Sequence, residues 1–102
     1  MSRLDQLRKL AAADPNDPFV HYGVGLECAQ LEQWAEAIAA FERTLALDAQ
    51  YHAAHLQKAR AQIKLGRRAV ARETLHAGIA AATARGETHA AAEMTKILET
   101  LG

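Results

Sequence analysis

The chain has 102 residues, half of them hydrophobic, and twelve basic side chains balance twelve acidic ones. That length suits one compact domain around one continuous core, and zero net charge removes the general attraction of a basic chain for nucleic acid or an anionic membrane surface. The charge is nevertheless polarised: residues 1–50 hold eight acidic and four basic side chains, residues 51–102 four acidic and eight basic.

The opening stretch "MSRLDQLRKL" carries charges at Arg3, Asp5, Arg8 and Lys9, which leaves no room for the apolar centre of a secretory signal. No run approaches the about 18 apolar residues of a membrane span. Cys28 is the only cysteine, so no internal disulfide forms, and a reducing, cytoplasmic setting is expected. Ala, Leu, Glu, Gln and Arg dominate, both prolines fall within "DPNDP", and no period-two strand pattern occurs; the expectation is an all-α chain of about six helices.

The first helix, Arg3 to Ala13, aligns Leu4, Leu7, Leu10 and Ala11 on one face, with Ser2 as its cap and Asp14-Pro15 as its stop. Asp17 caps the second, Pro18 to Leu31, with proline in the first turn. Glu32-Gln33 makes a turn. The third helix runs from Trp34 to Leu47 with Ala37, Ile38, Phe41 and Leu45 on one side. The fourth, His52 to Leu65, stops at Gly66, and the fifth, Ala69 to Ala84, at Gly86, each glycine suiting a left-handed C-terminal position. The sixth runs from Thr88 to Leu101. Helices this short do not stand alone in water, so they must pack on one another.

The chain matches itself at an offset of 34 residues: His21, His55 and His89 keep step, as do Leu7, Phe41 and Leu75, and Ala11, Leu45 and Ile79. Asp14 recurs as Asp48, Leu31 as Leu65 and Ala37 as Ala71. In residues 17–50 Gly25 follows the apolar Val24, and Ala37 and Phe41 form an A-x3-F pair. This pattern resembles the tetratricopeptide repeat, in which a small glycine and an A-x3-F pair pack two helices together. His21, Cys28 and Ala49 stand where that family has tryptophan, tyrosine and proline. The second repeat keeps Ala59, Ala71 and Leu75, puts Lys58 on an apolar position, and Glu93 takes the small position of the third. The resemblance implies one domain: a half repeat over 1–17, repeats over 18–51 and 52–85, and a capping half repeat over 86–102. It further implies a right-handed α-solenoid whose first-of-pair helices line a concave groove.

Chemical motifs do not hold up. Gly23-Val24-Gly25 lacks the third glycine and preceding strand of a dinucleotide fingerprint, and no lysine followed by Ser or Thr completes a P-loop. The three phased histidines cannot share one zinc ion, and adjacent ones could do so only with favourable rotamers; His52 and His55, three apart, could both reach a surface metal but have no Cys, Asp or Glu nearby in sequence. Ser2 is the sole serine, and Cys28 falls where the family buries a large side chain. No enzyme, catalytic residue, metal or cofactor is expected.

A basic cluster, Lys58, Arg60, Lys64, Arg67, Arg68 and Arg72, lacks the interleaved aromatics of a nucleic-acid surface. Phe41 and Trp34 are expected in the core. Some members of the family grip a C-terminal carboxylate with Lys, Asn and Arg from three first helices; Tyr22, Leu26, Gln57, Glu87 and Ala91 occupy the matching positions, so that clamp is absent. The resemblance turns Phe19, Tyr22 and Leu26 of the second helix, and Leu56, Gln57, Arg60, Ile63 and Lys64 of the fourth, toward the groove. It implies a non-enzymatic adaptor for a protein or peptide with an apolar anchor and acidic residues. The polarised charge and half-repeat ends offer self-association as a homodimer as the alternative.

Overall fold

A computed structural model describes residues 1–102. It contains six α-helices: α1 (Arg3–Ala13), α2 (Pro18–Gln30), α3 (Trp34–Leu47), α4 (His52–Lys64), α5 (Arg68–Ala84) and α6 (Thr88–Leu101). No helix is long and apolar enough to cross a membrane. Each helix packs chiefly on its neighbours in sequence, with lighter contact between α2 and α4 and between α4 and α6. This is the layout of an α-solenoid.

Local chemistry sets most of the boundaries. Ser2 and Asp5 close a reciprocal capping box on α1: the Asp5 amide donates to Ser2 Oγ at 3.1 Å and the Ser2 amide to Asp5 Oδ2 at 3.2 Å. Asp17 accepts from the Phe19 amide at 3.0 Å, and Pro18 fills the first turn of α2, where its missing N–H is not needed.

Helices α2, α4 and α5 end alike. The amides of Glu32, Gly66 and Gly86 donate to Ala29, Ile63 and Thr83, and the next amides reach back to Cys28, Gln62 and Ala82. These are Schellman closures, which need a left-handed residue. Gly66 and Gly86 adopt φ of 76° and 71° freely, whereas Glu32 is forced to 59°. A side chain in that region costs about 1–2 kcal/mol, partly offset by the larger unfolded-state entropy of glycine. Glu32→Gly is therefore expected to stabilise the fold by roughly 0.5–1 kcal/mol. A thermal melt with a midpoint at or below that of the parent would count against it.

The phased histidines owe their spacing to the turns between repeats. His21 Nε2 lies 2.8 Å from the Pro15 carbonyl oxygen and His55 Nε2 lies 3.1 Å from that of Ala49, each bond reaching six residues back. Helices α1 and α3 stop at Asp14 and Asp48, which leaves those turn carbonyls free. Ala82 takes the same phase in α5, the helix runs on to Ala84, and the Thr83 carbonyl is used by Gly86, so His89 is left exposed.

Burial pushes the His55 imidazole below its ordinary pKa of 6.5; the bond to Ala49 opposes this, and Lys58 and His52 reinforce it. Between the depressed value and 6.5 the unfolded chain binds more protons than the fold, so stability must fall as pH drops below 6.5. The urea midpoint is expected to decline between about pH 7 and 5, and His55→Gln, which keeps a donor for Ala49, should flatten that decline. Identical slopes in parent and variant would show that His55 does not govern it.

Two buried clusters form the core. Leu4, Val24, Cys28, Ala37, Phe41 and Ala54 join α1 to α4, and Leu56, Ala59, Ala71, Leu75, Ala82, Met94 and Leu101 join α4 to α6. The last helix is tied down at its C-terminus, where Arg68 Nη2 donates to the Leu101 carbonyl at 2.9 Å and Arg72 Nη2 to those of Leu101 and Gly102 at 3.1 and 3.0 Å. Cations at the negative end of a helix suit its dipole.

Candidate binding groove

The array places α2, α4 and α6 side by side, and two depressions run along α2. The first, about 340 Å³ between α1 and α2, is walled by Leu7, Phe19, Tyr22, Gly23 and Leu26, with Arg3 and Glu27 at its rim. The second, about 400 Å³, lies among α2, α3 and α4 and is lined by Leu26, Ala29, Trp34, Gln57, Arg60 and Lys64. Leu26 and Gln30 border both, so the two are continuous.

Of the expected contact residues, Phe19 is 69% exposed and Leu26 38% exposed. Tyr22 is half-buried, its ring centroid 5.8 Å from that of Phe41 and 5.1 Å from that of Tyr51. Burial raises its hydroxyl pKa; the Tyr51 hydroxyl nearby adds to this, and the polar Gln57 and Arg60 side chains oppose it. Tyr22 is thus a wall of the groove and a packing residue together. Gln57, Arg60 and Lys64 share the second depression.

Two residues depart from the expectation. Leu56 is only 9% exposed and belongs to the second core cluster, and Ile63 is partly buried against the same cluster. Along α4 the stripe Leu56, Ala59, Ile63 lies one position away from the stripe Gln57, Arg60, Lys64. One residue is about 100° of rotation on a helix, enough to put the first stripe in the core and the second in the groove.

Trp34, expected in the core, instead walls the second depression with Lys64 Nζ 6.0 Å from its ring centroid. Its counterpart 34 residues on is Arg68, a polar residue, which was the available sign that this position faces outward. Glu93 is a second groove residue that the sequence reading missed. It accepts from Arg60 Nη2 at 3.1 Å and so bridges α4 to α6.

The basic cluster resolves into separate attachments. Lys58 Nζ pairs with Glu42 at 3.3 Å, Arg60 with Glu93, and Arg68 and Arg72 with the end of α6. Lys64 has no carboxylate within ion-pair distance, only the face of Trp34. Cys28 is 1% exposed, and burial pushes its thiol pKa up, with the Arg8 charge opposing, so little reactive thiolate forms. No three His, Cys, Asp or Glu side chains come together as metal ligands.

A tetratricopeptide repeat family model matches residues 29–95. Among solved structures, the TPR2B domain of yeast Sti1 in its complex with pHsp70 superposes with a TM-score of 0.91 at 23% identity, covering 96% of this chain and 78% of that one. PcrH in complex with the chaperone binding region of PopD gives 0.92 at 19% identity, over 96% of this chain and 74% of that one. Protein BPP2914 from Bordetella parapertussis gives 0.85 at 25% identity, over 99% and 88%. No curated protein sequence gives a significant match. The 34-residue phase, the glycine seated under a phenylalanine, the six-helix order and the matching family model agree: the chain belongs to the tetratricopeptide repeat family.

Proposed function

We propose that the protein is a non-enzymatic interaction module that holds a segment of a partner protein in the groove beside α2 and α4. The observation that carries this reading is Lys64: an exposed cation with no carboxylate partner, its Nζ 6.0 Å from the Trp34 ring centroid in a depression it shares with exposed Leu26, while exposed Phe19 lines the adjoining depression. An apolar side chain gains by covering Phe19 and Leu26, and a carboxylate gains a charge-assisted hydrogen bond from Lys64. The ligand is therefore a peptide with an apolar anchor and an acidic residue. That Sti1 and PcrH are seen in complexes with pHsp70 and a region of PopD supports the reading. A buried, unpaired thiol suits the expected cytoplasmic setting.

Phage-displayed peptides selected on the chain are expected to pair an apolar residue with Asp or Glu a few positions away. Lys64→Glu and Phe19→Ala alter exposed side chains, so the fold should survive, and each should weaken a selected peptide on the order of 10-fold or more. Peptides that bind both variants as well as the parent, or a selection that yields none, would sink the groove reading.

A further inference from the structure

The Arg60–Glu93 pair sits where two depressions of the groove meet. Arg60 lines the second depression with Gln57 and Lys64, and it also lines a smaller one of about 200 Å³ with Glu93, Lys96, Ile97 and Thr100. Of the charged side chains in the two, Arg60, Lys64 and Lys96 are cations and Glu93 is the only carboxylate.

The pair is not built as a fastening. Arg85, which does fasten, gives Nη2 to both carboxylate oxygens of Asp48 at 3.1 Å and Nε to the Gln50 amide oxygen at 3.3 Å. Arg60 gives Glu93 a single bond, Nη2 to Oε2 at 3.1 Å, and its Nε and Nη1 donate to nothing. Both partners are close to half exposed, at 47% and 45%, and an exposed pair of this kind adds little to stability. A guanidinium with a free edge can begin to bind a second carboxylate before it releases the first. Lys64 lies on the same face of α4, four residues and so about 6 Å further along the helix.

We propose that Glu93 is a specificity-determining residue of the groove: an internal carboxylate that holds Arg60 in place of the ligand's own and is displaced from it when an acidic ligand binds. The inference rests on the groove reading, since it concerns the acidic residue that Lys64 attracts. A carboxylate set between Lys64 and Arg60 meets two cations. It reaches the second only by replacing Glu93, which repels it until then. Ligands without a carboxylate leave the pair closed and bind without that cost. Glu93 therefore sets how strongly the groove prefers an acidic ligand to its neutral counterpart.

The probes are a phage-selected peptide whose binding Lys64→Glu weakens, and the same peptide with its Asp or Glu replaced by Asn or Gln. The ratio of their dissociation constants measures the acid preference. Glu93→Gln is expected to raise that preference about 3-fold or more, through the acidic peptide alone. Glu73→Gln removes the same charge from an exposed position on α5 and should leave the preference unchanged; an equal rise in both variants overturns the inference. Arg60→Gln should abolish the gain, because Glu93→Gln then has no guanidinium to free. A gain that persists without Arg60 is repulsion at a distance and overturns displacement. The Glu93 side-chain carboxyl carbon resonance should shift on saturation with the acidic peptide and stay in place with the neutral one; equal responses overturn the exchange. A selection that yields no Lys64-dependent peptide overturns the groove reading and this inference together. A Lys64-dependent peptide whose acid preference Glu93→Gln leaves unchanged overturns this inference alone.

Discussion

Gly25→Ala should destabilise the protein while Gly23→Ala, two positions away on the same helix, should not. A Cβ on Gly25 would stand 2.4 Å from Phe41 Cε1 and 2.6 Å from Cδ1. Phe41 is fully buried, with Tyr22 tilted against it, so its ring has nowhere to retreat and α2 must shift off α3. Overpacking costs typically about 1–3 kcal/mol, and contact this close with a ring that cannot move belongs to the upper part of that range, about 2–3 kcal/mol; replacing glycine by alanine in a helix returns about 1 kcal/mol, so the net loss is about 1–2 kcal/mol. At this size that lowers the thermal midpoint by roughly 4–16 °C. On Gly23 the nearest atom would be Leu7 Cδ2 at 3.7 Å, an ordinary contact, and the helix gain should appear as a slightly higher midpoint. Equal melting temperatures for the two variants would remove the close-packing account of Gly25.

The same two glycines mark where the sequence was informative. The segment "FVHYGVG" contains glycines, a histidine and a tyrosine, a composition that invites a phosphate-loop reading; the 34-residue phase reassigns it to helix packing, and the Phe41 contact bears this out. Helix number, order and nearly every boundary were legible, because breakers and caps act locally: Asp14 and Asp48 stop helices, and Gly66 and Gly86 close them. Glu32 at φ 59° was not legible from its side chain; the available signal was the 34-residue phase, which sets it on the left-handed Gly66.

The groove was less legible than the fold. Periodicity assigns residues to a helix face only within about one position, and on α4 one position separates core from surface. Leu56 therefore lies in the core and Ile63 rests partly buried against it, while Gln57, Arg60 and Lys64 share a depression. Trp34 was assigned to the core because its position matches a packing position of the family, yet it opens a helix at a corner where its ring covers the groove wall rather than filling the interior. The Arg60–Glu93 pair spans 33 residues and two helices, and no local rule could show it.

Thr74→Val should cost more than its lost hydrogen bond alone suggests. Thr74 Oγ1 donates to Gln62 Oε1 at 2.7 Å, and both residues are buried between α4 and α5. Valine fills the same volume but leaves the Gln62 carbonyl oxygen buried without that donor, a penalty of about 1–3 kcal/mol. Gln62→Leu should be milder, because the Thr74 hydroxyl also lies 3.1 Å from the Val70 carbonyl oxygen and can donate there alone. The position tolerates an apolar side chain in principle, since its counterpart one repeat earlier is buried Cys28. In the double variant Thr74→Val, Gln62→Leu, no amide is left to satisfy, so stability should recover toward that of Gln62→Leu, with a coupling energy of about 1 kcal/mol or more in a urea-denaturation cycle. Costs that simply add would mean that the Gln62 amide finds another partner when Thr74 is lost, and that the α4–α5 interface is held by its apolar contacts alone.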